Sequence, residues 1–108
     1  MALTTNTQTA SGGVVNHKTG IVVTDAGAAA DTTFTLGFTP RVVRFHNVTD
    51  RISEEWIVGM AAASSIHTVA AGTRTLETTN GVTVSGAGFM VKAATILASK
   101  TFAWEAIG

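Results

Sequence analysis

The residues best suited to chemistry lie close together, in the stretch TPRVVRFHNVTDRISEEWIVGM at positions 39–60. It contains the only proline of the chain, three of the four arginines, one histidine, two adjacent glutamates and a tryptophan. Paired carboxylates such as Glu54 and Glu55 are a common arrangement for general acid–base catalysis. Adjacent residues of a β-strand point to opposite faces, however, so these two share a site only at a bulge. We therefore predict no catalytic role for the pair and no enzyme activity for the chain.

The three histidines, His17, His46 and His67, raise the question of a metal site. No two of them have a short ligand spacing such as HxH or HExxH. The chain has no cysteine, which excludes thiolate ligands, disulfides and cysteine nucleophiles. The sequence predicts solvated or partly buried histidines, with no metal and no cofactor.

Two other features suggest a ligand. The segment SGAGF (85–89) contains GxG but lacks the third glycine and the following helix of a dinucleotide-binding loop, so we predict a bulge or a tight loop. Trp56 and Trp104 have rings that suit a ligand-stacking platform, and they suit core or interface anchors equally because each lies in a patterned strand. A small carbohydrate-binding β module is therefore one alternative.

The charge balance limits the classes of partner. Charged residues make up 13% of the chain and the formal net charge is zero. No basic surplus is available for phosphate contacts, so we predict no nucleic-acid partner. The first residues lack the basic and apolar regions of a signal peptide, and no apolar run is long enough to span a bilayer, so we predict no membrane partner. Low charge repulsion favours association.

The elements that position these residues are short apolar runs separated by Gly, Asn, Asp and Thr. The runs are rich in β-branched and aromatic residues, and the turn residues recur at the spacing of a small β domain. The predicted fold class is all-β: a compact antiparallel β-sandwich or small barrel, jelly-roll-like. We place this single domain at residues 13–108. Residues 1–12 hold only Leu3 as a bulky apolar side chain and are predicted to be a flexible polar arm, either frayed or ordered against a neighbouring subunit.

Residues 39–60 are predicted to form a hairpin. Pro40 suits the start of a strand in which Val43 and Phe45 share one face. Residues 47–51 have the composition of a turn. In the second strand Ile52, Trp56 and Val58 share a face that is interrupted by Glu54. Arg41 or Arg44 is expected to pair with Glu54 or Glu55 across the two strands.

Two further predictions concern loops. The dipeptide Asn80–Gly81 is a strong turn signal because both residues tolerate positive φ. The alanine-rich residues 60–66 are the only helix candidate, and they are predicted to be a turn or loop because the segment is short and uncapped.

A longer succession of motifs resembles a known family. LGFTPRVVRFHNVTDR is followed by EEWIVGMA, then by TVAAGTRTLETTNGVTV, a GF strand and FAWEA, over about residues 36–107. This pattern resembles small structural proteins encoded by tailed bacteriophages and prophages. The likeness rests on Pro40, Arg41, Asn47, Thr49, Asp50, Glu55, Trp56, Gly59, Met60, Asn80, Gly81, Gly88, Phe89, Trp104, Glu105 and Ala106. The segment after Met60, AAASSIH, differs from the more polar, acidic loop of that family.

The resemblance implies a virion component without enzyme activity, in the first place a head decoration (cement) protein on the outer capsid surface, made in the host cytoplasm. Its implied partners are the major capsid protein lattice and further copies of itself, as a homotrimer or homodimer. The alternative is a tail-associated adaptor, tube or fibre subunit. Our candidate contact residues are Arg41, Arg44, His46, Glu54, Glu55, Trp56, Met60 and Trp104.

Overall fold

The structure, a computed structural model, describes residues 2–10 and 16–108, and this part of the chain consists of β-strands and connecting turns. It contains no helix, and so none that could cross a membrane. The strands are β1 (Leu3–Ala10), β2 (His17–Thr24), β3 (Thr32–Thr35), β4 (Val42–Asn47), β5 (Ile52–Ile57), β6 (Ser64–Thr68), β7 (Arg74–Ser85), β8 (Gly88–Val91) and β9 (Thr101–Ile107). The all-β prediction is confirmed.

The nine strands form one antiparallel sheet in the order β1-β2-β9-β4-β5-β6-β7-β8-β3. The sheet curls on itself into a half-barrel, which brings β3 and β8 over β9 and β4. Phe34 on β3 lies 5.8 Å from the ring of Trp104 on β9 and 5.9 Å from that of Phe45 on β4, measured between ring centroids. The two edge strands are bridged where the Gln8 amide donates a hydrogen bond to the Thr35 carbonyl, at 3.0 Å.

The core lies on the concave side of this sheet. Alternate residues of the central strands are fully buried, including Phe102 on β9 and Val43 on β4. Phe45 stacks on Phe102 at 5.1 Å, and Phe89 meets Trp104 edge-on at 5.3 Å. Burial of each such side chain contributes about 1.5–3 kcal/mol, so this aromatic cluster makes a large contribution to the domain's stability.

The predicted hairpin at residues 39–60 is present as β4 and β5. Pro40 is buried just before β4, and Val42 pairs with Ile57 in the ladder. The turn closes through the side chain of Asn47, whose Oδ1 accepts a hydrogen bond from the Asp50 amide at 2.9 Å. The turn ends at Arg51, which has φ 58°. Local sequence therefore accounts for this hairpin.

The Asn80–Gly81 dipeptide does not form a hairpin turn, and here the prediction is wrong. It lies inside β7, where the ladder with β6 is interrupted: Ser65 pairs with Glu77, but Ser64 pairs with Val82. The Glu77 carboxylate accepts hydrogen bonds from the amides of residues 78–80 and holds the interruption together. Gly81 is needed for close approach, because a Cβ there would lie 2.3 Å from the Ser64 carbonyl carbon.

Residues 60–66 contain no helix, as predicted, and β6 begins within them at Ser64. The N-terminal segment differs from the prediction of an arm. Residues 3–10 form β1, which pairs with β2 along the edge of the sheet. Main-chain pairing needs no apolar side chain, so composition alone did not reveal this strand. The predicted boundary between residues 12 and 13 lies outside the described residues.

Candidate interaction surface

The two tryptophans, predicted as contact residues, lie in the core. Trp56 is 7% exposed and Trp104 is 3% exposed. The Trp56 Nε1–H donates to the Ala61 carbonyl at 3.3 Å, which fixes the ring below the β5–β6 connection. Neither indole presents a face to solvent. The carbohydrate-binding alternative therefore lacks the stacking platform on which it was based.

The adjacent glutamates lie on opposite faces of β5, as strand alternation requires. Glu54 points inward and is 2% exposed, whereas Glu55 points outward. Glu55 faces Arg44 directly across the β4–β5 ladder, and its Oε2 accepts a hydrogen bond from Arg44 Nε at 2.8 Å. The two carboxylates therefore do not form a catalytic pair.

A buried polar cluster surrounds Glu54. Its Oε1 accepts a hydrogen bond from the Ser65 hydroxyl at 2.6 Å, and its Oε2 bonds to His67 Nδ1. Burial raises the pKa of the Glu54 carboxyl, against the lowering effect of the hydrogen bonds from Ser65 and His67. A cavity of about 50 Å³ adjoins the cluster between Glu54 and Leu97.

Serine, glutamate and histidine are the residue types of a hydrolase triad, but their order here is different. The carboxylate lies between the hydroxyl and the imidazole, so Ser65 donates to Glu54 and not to His67. Ser65 is also fully buried, so its hydroxyl is not accessible to a substrate. We therefore assign the cluster a structural role: it provides hydrogen-bond partners for a carboxyl group inside the sheet. The sequence did not reveal it, because its members come from two strands.

A ladder of charged side chains crosses the convex side of the sheet. Glu105 Oε2 contacts His17 Nε2 at 2.9 Å, and Glu105 Oε1 accepts a hydrogen bond from Arg44 Nη1 at 2.9 Å. Arg44 continues the ladder to Glu55. The hydrogen bond from His17, followed by that from Arg44, lowers the pKa of the Glu105 carboxyl. These groups are about a third exposed, so each pair contributes about 0.2–1 kcal/mol.

The convex side of β2, β9, β4 and β5 is called the outer face here. Strand register arranges its side chains in three rows that run across the four strands. The first row is Ile21, Ala103, His46 and Ser53; the second is Thr19, Glu105, Arg44 and Glu55; the third is His17, Ile107, Val42 and Ile57. Charge is concentrated in the second row, whereas the flanking rows expose Ile21 at 43% and Ile57 at 40%.

The projections and depressions of the outer face follow the sizes of the side chains in its first row. Ile21 and His46 project, whereas Ala103 and Ser53 are small. A depression of about 320 Å³ lies over Ala103 between Ile21 and His46. A second depression, of about 210 Å³, lies over Ser53 on the other side of His46. The outer face therefore presents a ridge at His46 with a hollow on each side.

The remaining predicted contacts are divided between this face and the loops. His46 and Arg44 lie on the outer face, and Arg41 is exposed immediately before β4. Met60 is partly buried against the core, and its Sδ contacts the Ile57 amide nitrogen at 3.3 Å. Sequence reasoning missed Ile21, Ala103 and Ser53, because only the registers of β2 with β9, β9 with β4 and β4 with β5 show that they lie in one row with His46.

Within residues 2–10 and 16–108 no group of three or more His, Asp or Glu side chains is placed to hold a metal ion. No protein-family model, curated protein or solved structure matches the chain.

Proposed function

We propose that this protein is a virion structural protein, and specifically a decoration protein that binds the outer surface of a phage capsid and stabilises the shell of the major capsid protein. The observation that supports this proposal best is that the domain exposes apolar side chains at separate places, on the outer face and in the turns at Val48 and Val58. The outer face itself is a broad β surface that combines a row of charged side chains with exposed isoleucines, as a protein-binding surface does. The sequence resemblance to phage structural proteins is our reason for proposing that the assembly is a phage particle.

The geometry favours binding over catalysis. In the cluster of Glu54, Ser65 and His67 the serine is fully buried and is not hydrogen-bonded to the histidine. The domain is rigid in construction, because nine strands surround one aromatic core. A decoration protein needs such a rigid body, and it gains avidity when many copies bind a symmetric lattice.

Exposed apolar residues outside the outer face provide further contact points. Val48 in the β4–β5 turn is 53% exposed, and Val58 after β5 is 59% exposed. Arg41 adjoins Val58, since the Val58 amide donates to the Arg41 carbonyl at 2.7 Å. A domain that presents such residues at two different sites can contact a lattice and a second copy at once.

The test is the copy number and position of the chain in purified particles from the host that carries its gene. Quantitative mass spectrometry should find it in numbers comparable to the major capsid protein, and density maps should place it on the outside of the head. Particles that lack it should release their nucleic acid at lower temperature. A handful of copies at the tail would support the tail-associated alternative, and absence from particles would refute both.

A further inference from the structure

We propose that the outer face binds the outer face of a second copy of this chain, about a two-fold axis that runs parallel to the strands and passes between β9 and β4. Such an axis places β4 over β9 of the second copy and β2 over β5 of the second copy. Rotation about this axis leaves each residue at the same height along the strands. Each of the three rows therefore faces the same row of the second copy, with the order of its residues reversed. This inference concerns the chain alone and stands whether or not it decorates a capsid.

Shape complementarity in the first row supports this arrangement. Its residues alternate between large and small, in the order Ile21, Ala103, His46 and Ser53. Reversal about the axis places His46 over Ala103 of the second copy and Ile21 over Ser53 of the second copy. Each depression, of about 320 Å³ and about 210 Å³, then receives a projecting side chain. Shape complementarity of this kind distinguishes a specific interface from a loose contact.

Charge complementarity in the second row supports the same axis. Reversal places Arg44 over Glu105 of the second copy, and Glu105 over Arg44 of the second copy. The guanidinium carries five N–H groups, and only Nε and Nη1 are used in the ladder within one copy, so donors remain for a further carboxylate. Four charges of alternating sign then surround the axis. Glu55 faces Thr19 of the second copy, so it meets no like charge.

The third row adds apolar contact. Ile107 faces Val42 of the second copy, and Ile57 faces His17 of the second copy. Ile57, at 40% exposed, becomes covered. The alternative two-fold axis, perpendicular to the strands through the second row, places Arg44 over Arg44 of the second copy. Like charges in direct opposition are destabilising, so we exclude that axis.

The first test is the effect of single substitutions on the dimer measured by sedimentation equilibrium. Ala103→Lys fills a depression with a long cationic side chain and is expected to weaken dimerisation about tenfold or more. Ile21→Lys is expected to act in the same direction. Leu76→Lys is the matched control: within the part of the chain that the structure describes, Leu76 is the most exposed large apolar residue, at 66%, but it lies on β7, outside the four strands of the contact. Thermal unfolding confirms that each variant is folded.

The second test determines the orientation of the two-fold axis from which residues face each other. The chain has no cysteine, so single cysteines can be introduced cleanly. The axis brings Ile21 opposite Ser53 of the second copy, across sheets about 10 Å apart. A short bis-maleimide should therefore cross-link a mixture of Ile21→Cys and Ser53→Cys chains. Ile21→Cys alone should cross-link poorly, because its two copies are offset by three strands, about 14 Å along the face.

Three results would overturn the proposal. The first is a chain that stays monomeric at about millimolar concentration. The second is a dimer that Leu76→Lys weakens as much as Ala103→Lys does, which would indicate non-specific apolar association. The third is efficient cross-linking of Ile21→Cys chains on their own. All three use the purified chain, so they do not depend on the outcome of the virion experiment.

Discussion

The buried carboxyl of Glu54 makes the folded chain less stable when it is ionised. Burial raises the pKa of its carboxyl, so the ionised form is less favourable in the folded chain than in the unfolded chain. The stability that this group contributes is fully present below its unfolded pKa, about 4.3, and is lost as pH rises through the higher folded pKa.

We therefore expect Glu54→Gln to change the pH dependence of unfolding. Glutamine has nearly the same shape and cannot ionise. Relative to the parent, the variant should gain stability as pH rises above about 4.3, because only the parent then loses stability through the raised pKa of its buried carboxyl. Urea unfolding at several pH values measures the difference. Glu55→Gln, which removes the outward carboxylate, is the control, and parallel profiles for parent and Glu54→Gln would contradict the expectation.

Two glycines allow a second residue-scale prediction. A Cβ at Gly81 would lie 2.3 Å from the main chain of Ser64, which has no flexible end to move. Gly81→Ala should therefore destabilise the domain by about 1–3 kcal/mol or more. Gly86→Ala is the matched control, since its nearest neighbour would be the Thr39 hydroxyl at 3.9 Å. Equal denaturation midpoints for the two variants would show that the strand interruption is not closely packed.

The two edge strands differ in what holds them, and this difference is testable at the scale of elements. β1 is bound to β2 by main-chain pairing, while the side chains of residues 4–8 are exposed on both faces. β3 has only four residues, but Phe34 is buried in the aromatic core. Local opening requires less free energy where little apolar surface is released.

Hydrogen exchange read by mass spectrometry should therefore distinguish the two edges. Peptides from residues 3–10 should exchange early through local opening. Peptides from residues 32–35 should be protected nearly as long as those from β9, although β3 is also an edge strand. Equal protection of β1 and β3 would mean that edge position, and not side-chain burial, sets local stability here.

The sequence predicted the elements whose pattern is local. Val43 and Phe45 alternate within one strand, and Asn47 and Asp50 close their own turn, so the β4–β5 hairpin could be recognised without the rest of the fold. Glu54 could not be paired in advance, because its partners Ser65 and His67 depend on the register of the next strand. The same limit applied to Ile21 and Ala103, which lie far apart in the chain but are directly opposite each other in the sheet.

At the scale of the whole molecule, the residues that carry the family resemblance mostly serve the fold. Trp56, Phe89 and Trp104 are core residues, Gly81 and Gly88 permit close backbone approach, and Asn47 forms a turn. Two of the signature residues, Glu55 and Glu105, lie on the outer face. The side chains that shape the face, Ile21, Ala103 and Ser53, are outside the signature.

The position of β9 leads to a whole-molecule prediction. This last strand lies between β2 and β4, in the middle of the sheet, and supplies Phe102, Trp104 and Ala106 to the core. Deletion of residues 101–108 should leave an unfolded chain, whereas deletion of residues 1–10 should leave a folded one. Circular dichroism and thermal unfolding of the two truncations measure this. A C-terminal truncation that still unfolds cooperatively would contradict the central role of β9.

That same strand order has a consequence during synthesis. While the ribosome is still translating the chain, β2 and β4 have both been made, but the strand that joins them has not. The emerging polypeptide therefore carries two uncovered ladders and an unfilled aromatic core until residues 101–107 have left the ribosome. Sheet closure between such distant segments is slow. The sheet cannot close before β9 is available, so the nascent chain up to that point is the state most exposed to mispairing with its neighbours.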